Sequence, residues 1–136
     1  MLENQITQLA EELYLPSPET EDGEGFFHIS LSETITIAIK SLNPGLFLTA
    51  DVGFLPTRNK EDNLMYFMKA NFLFQGTGGQ VLGVNSEEKL LTLSQKIIQE
   101  VNYLRFKELI EDFANYLSYW QKELERLQQA TTEGII

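Results

Sequence analysis

The sequence predicts an α+β fold, an antiparallel sheet with helices packed on it in the element order α-β-β-β-α-β-β-α. Three observations predict it. Near both ends and again in the middle of the chain, apolar residues recur at intervals of three and four, the period of a helix. Between these segments, apolar and polar residues alternate, the period of a half-buried strand. The strand-like runs are joined by short connections rich in turn residues, which favour hairpins over crossovers.

The elements follow in order. Leu2, Ile6, Leu9 and Leu13 form one stripe of a helix running to about Tyr14, with Pro16 and Pro18 to end it. The acidic stretch SPETEDGEG comes next; Glu19, Glu21, Asp22 and Glu24 read as a solvated surface run, since the ligand spacing of a calcium loop is absent. Phe27, Ile29 and Leu31 then alternate with polar residues, as do Ile35, Ile37 and Ile39, giving two strands divided near Ser32-Glu33. Asn43-Pro44-Gly45 turns the chain into a third strand, LFLTADVGFL, and completes a meander. After Pro56, Asn59 and Asp62 suit the start of a second helix. Gly76, Gly78 and Gly79 end that helix, and Val81–Val84 and Leu90–Leu93 form a second hairpin. A long helix from about Asn102 to Gln129 carries Phe106, Leu109, Phe113, Leu117, Trp120, Leu124 and Leu127 on one face, opposite Lys107, Glu111, Asp112, Gln121 and Glu125. Residues 1–136 read as one domain, with 130–136 a frayed tail.

The second helix is the most informative element. Between Leu64 and Phe74 only Lys69 and Asn71 are polar, so the helix is apolar on too many sides to be an ordinary surface helix. A chain of 136 residues rarely buries a helix all round, and the expected second cover is another copy of the chain. Met65, Met68 and Phe72 are the residues expected at that contact.

Composition narrows the function classes. Twenty Asp and Glu against ten Lys and Arg leave a formal charge of −10, which opposes nucleic acid and anionic membranes. There is no cysteine, hence no disulfide, thiolate metal site or cysteine nucleophile. MLENQITQLAEEL lacks the basic and apolar regions of a secretory leader, and no run approaches the ~18 apolar residues of a membrane span. A cytoplasmic location without membrane insertion is the expectation.

Catalytic chemistry is scarce. His28 is the only histidine, and on a strand it reads as a surface residue; one imidazole does not make a zinc site. GTGGQVLG resembles a phosphate loop only superficially, since its glycines close a helix and lead into a strand, the reverse of a dinucleotide fingerprint, and the lysine of a P-loop is missing. Neither an enzyme activity, a cofactor nor a metal is expected.

With its pieces in this order, the chain resembles the class I, effector-binding chaperones of bacterial type III secretion, the Tir chaperone family, over nearly its whole length. The resemblance rests on Ala70-Asn71-Phe72 continuing through Gly78-Gly79, Leu82-Gly83 and Leu91-Thr92-Leu93, on the Gly53-Phe54-Leu55-Pro56 strand exit, and on Phe113 to Trp120 in the last helix. It departs from the family between Leu15 and Gly25, where the connection is long and acidic. The resemblance implies an acidic homodimer in the cytoplasm of a Gram-negative bacterium. Its partners would be the N-terminal chaperone-binding segments of secreted effector proteins, held non-globular until the secretion ATPase strips them off. It also implies a dimer contact through the second helix.

A binder of extended polypeptide needs apolar grooves and an open strand edge. Ile6, Leu9 and Leu13 beside Phe27 and Ile29 suit such a groove; the same stripe suits the core of the protomer equally well. Two other function classes fit the sequence. One is an adaptor of the same fold without a secreted client; the other is a small-molecule-binding α+β domain.

Overall fold

The structure, a computed structural model, describes residues 2–16, 22–73, 80–85 and 89–133, without the side chains of 72, 73 and 130–133. Its elements are α1 (Leu2–Glu12), β1 (Phe26–Ser30), β2 (Thr36–Ser41), β3 (Leu46–Phe54), α2 (Lys60–Leu73), β4 (Gln80–Val84), β5 (Leu90–Ile97) and α3 (Tyr103–Glu133). This is the order that the sequence predicts. The five strands form one antiparallel sheet in the spatial order β1-β2-β3-β5-β4, so the meander and the second hairpin are joined where β3 pairs with β5.

Alternation in the strands sets the two faces of the sheet. Ile29 on β1, Ile37 and Ile39 on β2, Leu46, Leu48 and Ala50 on β3, Leu91 and Leu93 on β5 and Leu82 on β4 are all buried in one core. The helices cover that face. From α3 come Phe106, Ile110, Phe113, Leu117, Trp120 and Leu124, so the periodicity of the last helix marks its buried side correctly, with Ile110 widening it. The backbone of α3 stays helical to Glu133, into the stretch expected to fray; 134–136 lie outside the described residues. Glycines settle two close approaches. Gly45 has φ +106, and a Cβ there would strike the Ile97 backbone; a Cβ on Gly53 would sit 2.9 Å from Leu124 Cδ2, beside the irregular pairing between Asp51 and Gly53.

α1 closes earlier than the apolar stripe suggested. Tyr14 takes a left-handed conformation (φ 56), and Leu15 N–H donates to the Ala10 carbonyl at 2.9 Å, a helix C-cap that ends α1 before either proline. Two contacts tie α1 to the start of α3: Gln5 Nε2 donates to the Val101 carbonyl at 2.9 Å, and Lys107 Nζ lies 2.7 Å from Glu12 Oε2. Hydrogen bonding by Lys107 holds the Glu12 carboxyl below its usual range, and hydrogen bonding by Glu12 holds the Lys107 ammonium above its own. At the other end of α3, Tyr66 of α2 donates to Glu123 Oε2 at 2.7 Å, while Tyr66, Phe67 and Tyr119 each meet Trp120 edge to face at 5.0–6.2 Å. At the start of α2, Asn59 contributes its carbonyl, which accepts from Asn63 N–H at 2.9 Å.

Candidate docking surfaces

An open sheet has two edges, and here they are β1 and β4. The β1 edge is built by register. Leu31 N–H donates to the Ile35 carbonyl at 2.9 Å, which sets the phase of the ladder between β1 and β2. By the alternation of antiparallel pairs, Phe27 and Ile29 then exchange hydrogen bonds with Ile39 and Ile37, and the main-chain groups of Phe26, His28 and Ser30 point outward along the edge. Phe26 is met there by Asp22. Asp22 N–H donates to the Phe26 carbonyl at 2.9 Å, and Phe26 N–H donates to Asp22 Oδ1 at 3.0 Å. The same carboxylate accepts from Glu24 N–H at 2.8 Å and, through Oδ2, meets His28 Nε2 at 2.9 Å. These bonds, the one to His28 foremost, hold the Asp22 carboxyl down to about 2.

Asp22 is exposed, as the sequence suggested, and is in addition a built corner of the sheet. Glu24 is exposed as expected, while Glu19 and Glu21 lie outside the described residues. His28 is half-exposed on its strand, as read from the sequence, and its partner Asp22 was not legible there. The signal that could have found it is the spacing: an Asp four residues before the first strand residue, followed by glycines that let the chain fold back.

The five candidate groove residues are placed as follows. Ile6, Leu9 and Ile29 come together in the core, with Ile6 and Leu9 at 0% and 1% exposure. Phe27 is partly buried and packs on that core from the β1 edge. Leu13, at 44%, is the member of the stripe that reaches the surface, just past the end of α1. The stripe is thus divided between the core, which takes Ile6 and Leu9, and the surface, which keeps Leu13.

The β4 edge is different. Asn71 of α2 accepts Leu82 N–H on Oδ1 and donates Nδ2 to the Leu82 carbonyl, both at 2.7 Å. α2 turns Phe67 and Ala70 into the core and leaves Met65 and Met68 exposed at 56% and 69%. The side chain of Phe72 and the glycine turn at Gly76, Gly78 and Gly79 lie outside the described residues. Nearby, Asn115, Tyr116, Tyr119 and Trp120 line an open groove of about 310 Å³ with a mostly apolar wall. Val81 is exposed on β4. The all-round apolar pattern of α2 therefore resolves into one side in the core and one methionine-bearing side on the surface. Such a surface adapts readily to a partner.

Among the described residues, no group of three or more His, Asp or Glu side chains is placed to hold a metal ion, and no helix is long and apolar enough to cross a membrane.

The fold is shared with solved structures of secretion chaperones. The chain superposes on one from the ExsC–ExsE complex with a TM-score of 0.69 and 19% identity, over 90% of this chain and 92% of that one. A chain of the HopA1–SchA chaperone–effector complex gives 0.64 and 14%, over 89% and 93%. A chain from the complex of the Yersinia pestis type III secretion chaperone SycH with a stable fragment of YscM2 gives 0.63 and 14%, over 88% and 99%. At these identities the likeness is one of fold. A comparison with the sequences of curated proteins gives no match. The model of the Tir chaperone protein (CesT) family matches residues 4–121, which spans α1 through most of α3, and the chain belongs to this family.

Proposed function

We propose that this protein is a cytoplasmic type III secretion chaperone of a Gram-negative bacterium, active as a homodimer. Each dimer binds the N-terminal chaperone-binding segment of a secreted effector and keeps it non-globular until the secretion ATPase removes it. The observation that carries the reading is the β1 edge, where the main-chain groups of His28 and Ser30 point outward on the strand of the partly buried Phe27; the exposed Leu13 is the proposed rim of the groove. An extended segment adds there as a further strand, with main-chain bonds for affinity and apolar anchors for specificity. Ile6, Leu9 and Ile29 shape the groove from beneath. Complexes of the same fold support the reading, one of them a chaperone with its effector.

In the dimer, Met65, Met68 and Phe72 of α2 meet their counterparts across a two-fold axis. Specific interfaces bury roughly 1,200–2,000 Å² in total, which an α2 face extended by Tyr119 and Val81 suits. No step of holding a segment unfolded calls for a nucleophile, metal or cofactor, in keeping with a family and fold of chaperones rather than enzymes.

The test is co-purification of the intact protein from its own cytoplasm, then identification of the bound protein and limited proteolysis of the complex. The expected result is one protected, non-globular segment near the N-terminus of a secreted protein. Recovery of a protein that is never secreted would move the chain to the adaptor class, and a bound small molecule would move it to the third.

A further inference from the structure

The β1 edge is shorter than the strand. β1 spans Phe26–Ser30, and three of its residues point main-chain groups outward, yet both groups of Phe26 are already bonded to Asp22. The arrangement imitates a neighbouring strand. The Asp22 amide does what a strand's N–H would do, and its carboxylate stands where that strand's carbonyl would be. Two further bonds hold the carboxylate in place, from Glu24 N–H and to His28 Nε2. Beyond Phe26 the chain folds back, with Gly25 at φ 90 and its N–H on the Asp22 carbonyl at 3.0 Å.

We infer that Asp22 is a register stop for the client strand: the chain's own acid occupies the edge at Phe26, so an added strand pairs at His28 and Ser30 and ends there. This rests on the effector reading of the β1 edge and adds to it which residues pair and where pairing stops. A client strand slipped by one residue would turn its apolar anchors to the wrong face, so a fixed end gives the groove its register. At the opposite edge Asn71 does the same to Leu82, which leaves β1 as the edge with a defined pairing window.

The test uses the intact, isotope-labelled protein, free and with overlapping synthetic peptides that tile the effector segment recovered by co-purification. In the free protein, the Phe26 amide should exchange slowly and the His28 and Ser30 amides fast. Asp22→Ala should speed Phe26 exchange by about tenfold or more while Ile29 and Ile37 stay protected, which shows the fold intact. Asp22→Asn keeps an acceptor oxygen and should keep Phe26 slow. A bound peptide should protect His28 and Ser30 in all three proteins. Asp22→Ala keeps the residue-22 N–H on the Phe26 carbonyl and frees the Phe26 N–H alone, so an alkene isostere that removes the peptide carbonyl opposite Phe26 should leave wild-type affinity within about twofold and weaken binding to Asp22→Ala about fivefold, the loss of one hydrogen bond. Fast exchange at Phe26 in the wild type, equal sensitivity to loss of that peptide carbonyl in wild type and Asp22→Ala, or Asp22→Asn behaving like Asp22→Ala would overturn the stop and leave the effector reading standing. Peptides that bind without protecting His28 and Ser30 would overturn both.

Discussion

Asn71 holds Leu82 by both of its main-chain groups, accepting the N–H and donating to the carbonyl at 2.7 Å each. A side-chain amide from α2 thus takes the place of a sixth strand on β4. It fastens the helix to the sheet and closes the edge at its middle residue. The pair also sets how α2 presents its outer side, because Met68 lies three residues before Asn71, nearly one helical turn away.

Replacing Asn71 by Ala should lower stability by about 1–3 kcal/mol, the cost of leaving part-buried backbone groups without partners. It should also expose a longer bare edge and promote self-association beyond the proposed dimer. Denaturant unfolding and light scattering measure the two effects. Unchanged stability would show that water replaces the amide without loss.

The proposed homodimer is checked by light scattering, which should give twice the chain mass at micromolar concentration. Met68→Asp should yield a folded monomer, since Met68 is exposed in the protomer and only a partner would bury the new charge. Phe67→Asp should unfold the protein, because Phe67 is in the core. A Met68→Asp dimer of undiminished affinity would move the contact away from α2.

On the groove, Ile6→Ala and Leu9→Ala should each cost about 2–5 kcal/mol of stability by leaving cavities in the core. Leu13→Ser should alter stability by no more than about 0.5 kcal/mol, as surface changes do, yet weaken effector binding. Calorimetry of binding beside thermal unfolding separates these effects. Binding by Leu13→Ser as tight as wild type would remove Leu13 from the rim.

Asp22 makes the β1 corner sensitive to acid. Its carboxyl is held at about 2, below the ordinary 3.8, first by His28 and then by the Phe26 and Glu24 amides. A depressed carboxylate contributes stability in full above its unfolded value and loses it as pH falls through the folded one. Between about pH 4 and pH 2, therefore, the corner should loosen, and the Phe26 amide shift should titrate with an apparent pKa near 2. Asp22→Asn should abolish that titration. A Phe26 shift that moves only above pH 4 would show that another group controls the corner.

Much of the architecture was legible because burial in a helix or strand repeats with the local period. The inward face of α3 from Phe106 to Leu124 and the alternation of Ile37 and Ile39 with the residues between them are properties of a few consecutive residues. The meander and the last hairpin followed from turn residues of the same short range. The excess apolar surface of α2 was also visible, since counting polar residues from Leu64 to Phe74 needs no knowledge of neighbours.

What the sequence by itself determined was the set of elements, their order and the side of each that repels water. The tertiary structure alone decided which edges are open and which residues close them. β4 becomes an edge because β5 pairs with β3, a contact between residues such as Thr49 and Ser94 that no local pattern specifies. Asn71 and Leu82 are eleven positions apart, and Asp22 reaches Phe26 only through a backbone reversal. Likewise the stripe Ile6, Leu9, Leu13 divides between core and surface because α1 stops at Glu12, and the cap at Tyr14 leaves Leu13 outside. Apolar periodicity tells which side of an element avoids water; which neighbour provides the cover depends on the free energy of pairing distant segments.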